Sequence, residues 1–111
     1  MKDGYFTLED LVFYVRFPVI EDIGMSVGMH SKIRFANGYA ASVGYGGGYY
    51  SDGPGSYELM AIKPDGAFYY EDPLGYLTPE ELNNEMIELQ KIKPKKRKFT
   101  PEDPYGEEEW D

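Results

Sequence analysis

From residue 30 onward, apolar and polar positions alternate, and the alternation breaks at turn residues. Over residues 30–35, Ile33 and Phe35 fall on one side of an extended chain and Lys32 and Arg34 on the other. That period of two is what a half-buried strand requires. Asn37-Gly38 follows, the pair suited to a type I′ hairpin turn, whose two central positions both take positive φ. The return strand, 39–45, puts Tyr39, Ala41 and Val43 on one face and Ala40, Ser42 and Gly44 on the other. The second set is small, so a helix, a ligand or a partner has room to approach that face closely. Residues 57–62 predict a third strand. Lys63-Pro64-Asp65-Gly66 is a turn, and residues 67–70 predict a fourth strand.

After Thr78 the period lengthens to that of a helix. Thr78 is an N-cap, Pro79 takes the first helical position and Glu81 completes a capping box. Leu82, Met86, Leu89 and Ile92 form one apolar stripe with Ile87 beside it, and Asn83, Asn84, Glu88 and Gln90 are expected to face outward. The front of the chain supports two readings. Thr7 with Asp10 three residues later is a helix start, and Leu8, Leu11, Val12 and Val15 would share a helical face. Leu11, Phe13, Val15 and Phe17 also alternate, in a run rich in strand formers. The capping signature tilts the balance to a short helix from Leu8 to about Arg16, with the strand reading open.

The pattern therefore predicts an α+β fold: an antiparallel β-meander of about four strands with a C-terminal helix packed on one face. Residues 1–28 form an N-terminal extension, 29–92 the core domain and 93–111 a charged tail. Residues 93–98 hold five basic side chains and 99–111 hold six acids, with Pro94, Pro101 and Pro104 opposing regular structure. Residues 44–56, rich in glycine and tyrosine, read as a long mobile loop.

Charge narrows the partners. A net charge of −9 on 111 residues repels phosphate at long range, so direct nucleic-acid binding is disfavoured, while a basic protein surface or mimicry of a polyanion fits. Cysteine is absent, which removes disulfides, thiolate metal sites and cysteine nucleophiles. No apolar run reaches the length of a membrane span and the first residues lack a signal-peptide layout, so a cytoplasmic location and no membrane association are expected.

Catalytic signatures are missing. Gly44, Gly46, Gly47 and Gly48 lack the lysine and hydroxyl residue of a phosphate loop. His30 is the single histidine; it reads as a surface or edge-strand residue rather than a metal ligand or catalytic base. No enzyme activity, cofactor or metal is expected. The binding candidates are Tyr45, Tyr49 and Tyr50, rigid aromatics on an adaptable glycine backbone. With them go Ser42 on the small-residue face, Glu58 on the neighbouring strand and Trp110 in the acidic tail.

Phe35-Ala36-Asn37-Gly38-Tyr39-Ala40-Ala41-Ser42-Val43 resembles an F-x-N-G-Y-G-x-S-V signature of small, uncharacterised bacteriophage and prophage proteins, with Ala40 in place of the usual glycine. Tyr57-Glu58-Leu59-Met60-Ala61-Ile62 is similar to that family's Y-E-x-A-V strand. Gly75-Tyr76-Leu77-Thr78-Pro79-Glu80-Glu81-Leu82 is similar to its G-Y-L-T-x-E-E helix start. The resemblance covers roughly residues 32–92 and implies a phage origin and a small α+β fold, with no catalytic residue to carry over. It makes a host bacterial protein the expected partner and the host cytoplasm the expected location. The expected role is a small acidic accessory protein that inhibits or redirects that host protein, with counter-defence (anti-CRISPR or anti-restriction, by DNA mimicry) as one version. A small-ligand, nucleotide-like binding protein is the alternative, and a virion assembly component a weaker one. A homodimer through an exposed edge strand is compatible with the pattern.

Overall fold

Tertiary packing settles the front of the chain as a strand. The computed structural model describes residues 1–17, 27–53 and 55–93. The helix start at Thr7 forms, but only as one 3₁₀ turn, Leu8–Asp10. Its Asp10 carboxylate accepts the Thr7 backbone N–H at 2.8 Å, and that bond holds the Asp10 pKa below its ordinary value. The chain then extends into β1, Tyr14–Phe17, instead of continuing as a helix to Arg16. Extension lets Phe13 reach across to Tyr45 and Tyr57, with ring centroids 5.0 and 6.2 Å away. The strand preference of the β-branched and aromatic run outweighs the cap because aromatic packing adds to it.

Four more strands follow: β2 Gly28–Arg34, β3 Ala40–Gly46, β4 Tyr57–Ile62 and β5 Leu74–Leu77, before the helix α1 Pro79–Lys91. They lie in chain order in one antiparallel sheet of five strands. The α+β class and the meander stand as expected, but the count is five rather than four. Residues 67–70 are not a strand; they make one isolated bridge, Ile62 to Phe68, and Tyr69 N–H donates to Ala61 O at 2.8 Å. The last strand is the short stretch before the helix, where Pro73, Gly75 and the positive φ of Tyr76 (55°) hide the strand signal.

Odd positions of the central strands make the core. Ala41, Val43, Leu59 and Ala61 pack with Phe35 and Tyr39 against Leu82, Met86 and Leu89 of α1. The helix starts as its sequence dictates: Thr78 Oγ1 accepts Glu81 N–H at 3.1 Å, and Glu81 Oε1 accepts Thr78 N–H at 3.0 Å. Two of its polar residues do not face outward. Asn83 Oδ1 accepts Leu8 N–H at 2.8 Å. Gln90 both accepts from Phe6 N–H and donates to Phe6 O, each at 2.8 Å. Residues 6–8 are thereby fastened to the helix, and Phe6, Leu8, Leu11 and Phe13 pack against the core.

The turn at Asn37-Gly38 is not type I′. Gly38 alone takes a positive φ, 89°. Gly38 N–H donates to Phe35 O at 2.9 Å, and Phe35 N–H to Tyr39 O at 2.7 Å. The loop thus has three residues and closes on glycine. Asn37 is diverted to a longer-range task. Its Nδ2 donates to Leu89 O and Ile92 O, both at 2.8 Å, and its Oδ1 accepts Tyr39 N–H at 3.1 Å. The hairpin tip thereby caps the C-terminus of α1, whose last carbonyls have no partner within the helix.

The expectation of a charged tail concerns residues 94–111, outside the described ones, apart from Lys93.

Candidate functional site: the open face of the sheet

Because α1 covers the odd face, the even positions of β2, β3 and β4 point the other way. The register aligns them in rows. His30 pairs with Gly44 and Gly44 with Glu58; Lys32 pairs with Ser42 and Ser42 with Met60; Arg34 pairs with Ala40 and Ala40 with Ile62. Tyr14 of β1 extends the first row, opposite His30.

Tyr49 closes the middle of that row. A Cβ on Gly44 would collide with the Tyr49 ring, so the absence of a side chain there lets the ring lie flat on the strand. The ring stacks with His30, centroids 6.2 Å apart and planes 11° from parallel. On its far side stands Glu58. The small-residue face is thus occupied at Gly44 by the chain's own loop.

The segment read from sequence as a mobile loop begins as regular strand, and its described residues make a network of hydrogen bonds. Gly44, Tyr45 and Gly46 belong to β3. Beyond them, Ser51 Oγ accepts from Gly46 N–H and Gly53 N–H, both at 3.1 Å, and donates to Ser56 O at 2.8 Å. Asp52 N–H donates to Ser56 Oγ at 2.6 Å. Gly47 N–H donates to Val27 O at 3.0 Å, tying the loop to the start of β2. Ser51 and Ser56 were not singled out from the sequence. Their signal was turn chemistry, serines bracketing Asp52-Gly53, which composition alone reads as flexibility.

The electrostatics of the row are uneven. His30 Nε2 and Ser42 Oγ share a hydrogen bond of 2.7 Å. Burial lowers the His30 pKa below its ordinary value, and the Arg16 and Lys32 cations push the same way. Burial raises the pKa of Glu58. Burial also raises that of Tyr49; Arg16 opposes this by charge and hydrogen bond, and Glu58 adds to it. Serine, histidine and an acid therefore occur together without forming a relay. Glu58 is two strands from His30, about 10 Å by the usual spacing, with the Tyr49 ring between, and the charged groups acting on His30 are cations. Among the described residues, no carboxylate orients the imidazole as a catalytic base needs.

Of the residues picked from sequence, Ser42, Tyr49 and Glu58 come together here. Tyr45 does not; it lies on the helix side, edge-on to Phe13 and Tyr57 at 5.0 and 5.5 Å. Tyr50 points to β5, 57% exposed, beside Tyr76 at 6.4 Å. Trp110 lies outside the described residues. His30 and Arg16 join the site although the sequence argued for neither; only the register shows them.

Compared with known proteins, the chain matches no family model, no curated protein and no solved structure. Among the described residues, no cluster of histidine and carboxylate could hold a metal ion, and no helix is long and apolar enough to cross a membrane.

The lowered His30 pKa has a measurable consequence. The unfolded chain takes up a proton near pH 6.5 that the folded chain refuses, so protonation favours unfolding. Stability is expected to rise with pH through the interval that ends at 6.5, the ordinary imidazole value. Melting curves of the wild type and of His30→Gln across that interval check this. The variant's curve should be flatter, and identical slopes would contradict the assignment.

Proposed function

We propose that this chain is a non-enzymatic binding domain that engages a partner protein through the open face of its sheet. One observation carries the reading: the Tyr49 ring, laid on Gly44 between His30 and Glu58, is held by a hydrogen-bonded loop on the face of the sheet opposite α1, which no described helix covers. A rigid aromatic with polar groups on both sides is the composition of a protein-binding hot spot. Its preorganisation lowers the entropy lost on binding. The phage resemblance supports a bacterial host protein as the partner, with inhibition or redirection of that protein, counter-defence included, as the outcome. The small-ligand alternative has less support, because the space above Gly44 is filled by the chain's own ring.

The test is capture from bacterial lysate by four baits: wild type, Tyr49→Ser, Met60→Arg and Glu80→Lys. Glu80 is exposed on α1, across the sheet from the site. Circular dichroism confirms the fold of each. Wild type and Glu80→Lys are expected to retain the same protein, and the two open-face variants to lose it by more than about tenfold, the size of a hot-spot truncation. Capture of nothing above background, or equal capture by all four, would sink the reading.

A further inference from the structure

The chain is strongly acidic, yet its open face is not. In strands β1 to β4 the only acid is Glu58, while Arg16, Lys32 and Arg34 stand on β1 and β2 with His30 among them. The four glutamates of α1 (Glu80, Glu81, Glu85 and Glu88) lie across the sheet. Among the described strand and helix residues, charge is thus segregated: acid on α1, base on half of the open face. Lys32 and Arg34 are exposed and enter no ion pair among the described residues. Arg34 keeps its guanidinium over the hairpin by donating Nη1–H to Gly38 O at 3.1 Å.

The spacing of these groups is that of a strand. His30, Lys32 and Arg34 are alternate residues of β2, so their side chains repeat about every 6.7 Å along one line. An extended peptide presents its own alternate side chains at the same interval. We infer that the open face, read as the partner-binding surface above, recognises an extended acidic protein segment whose carboxylates recur at every second residue, aligned along His30, Lys32 and Arg34. Tyr14, 69% exposed opposite His30, offers an aromatic flank to such a segment. Glu58 limits the acidic footprint to the β1–β2 half and selects a hydrogen-bond donor at the other edge.

Nucleic acid fits this surface less well. Three permanent cations neutralise few phosphates, and the net charge of −9 opposes a long polyanion. A short acidic segment meets only the local field, because screening at physiological salt confines charge effects to about 8 Å. The same alternation occurs in this chain's own Glu107, Glu109 and Asp111, so a self-competing bait has to be controlled for.

Two proteins of residues 1–111 are used, the wild type and one carrying Glu107→Gln, Glu109→Gln and Asp111→Asn. Each is titrated against a labelled peptide alternating threonine with glutamate, the same peptide with lysine for glutamate, and a single-stranded oligothymidine. The glutamate peptide is expected to bind at least one of the two proteins, more weakly as salt rises. The double variant Lys32→Glu, Arg34→Glu should weaken it roughly tenfold or more, with Lys32→Arg binding as wild type. No binding to either protein, equal binding by the charge-reversed variant, or tighter binding of the oligonucleotide would overturn the inference. If Tyr49→Ser abolishes lysate capture while Lys32→Glu, Arg34→Glu leaves it intact, the inference fails and the open-face reading survives.

Discussion

Gly46→Ala is expected to lower the melting temperature by roughly 8–40 °C, on a scale of about 4–8 °C per kcal/mol for a domain of this size. Two independent effects combine. Gly46 sits at φ 85°, where a side chain costs about 1–2 kcal/mol. The added Cβ would also collide with the Val27 carbonyl oxygen. That oxygen is backbone and already accepts Gly47 N–H at 3.0 Å, so it cannot retreat without breaking the tie between β2 and the loop. Overpacking of this kind costs about 1–3 kcal/mol. Gly66→Ala is the control: its φ is 92°, but a Cβ there meets nothing within 4 Å, so only the backbone part should appear. Equal melting temperatures for the two variants would refute the steric argument.

Asn37→Asp is expected to be the most damaging change that preserves side-chain shape. The amide donates to Leu89 O and Ile92 O. A carboxylate would instead point negative charge at two carbonyl oxygens, at the negative end of the helix dipole. Losing both donated bonds and leaving the acceptors facing a charge costs about 3 kcal/mol or more. Asn37→Ala removes the bonds without the repulsion and should cost less. The sign with pH follows from the repulsion: the introduced acid has a raised pKa in the folded state, so its penalty shrinks as pH falls and the carboxyl becomes a donor. Chemical denaturation at neutral and acidic pH reads both effects. An Asn37→Asp protein as stable as wild type at neutral pH would show that the hairpin does not cap the helix.

Those two residues also mark where reading the sequence stops. Period-two alternation located β2, β3 and β4 because one face of each is buried, and the capping box located α1. Asn37 was legible as turn chemistry but not as a helix cap, since its partners are 52 and 55 residues away. The run from Leu11 to Phe17 carried both periods, and only its packing against Tyr45 and Tyr57 decides between them. In the site, Ser42 and Glu58 were legible from strand parity. Tyr49 was legible as an aromatic on glycine but not in its pose, which depends on Ser51 and on the register that brings Gly44 under the ring. Tyr45 was misplaced for a simple reason: the strand runs one residue past it, so parity sends it to the helix side.

The proposed partner surface is the open face of the sheet rather than the helix. The most direct measurement is a backbone amide NMR footprint on the labelled chain as the captured protein is added. The largest shift changes are expected at His30, Lys32, Ser42, Gly44, Tyr49 and Glu58, with Glu80, Asn84 and Glu88 of α1 unmoved. Changes concentrated on α1, or on Tyr50 and Tyr76 at the β5 edge, with the open face silent, would contradict it.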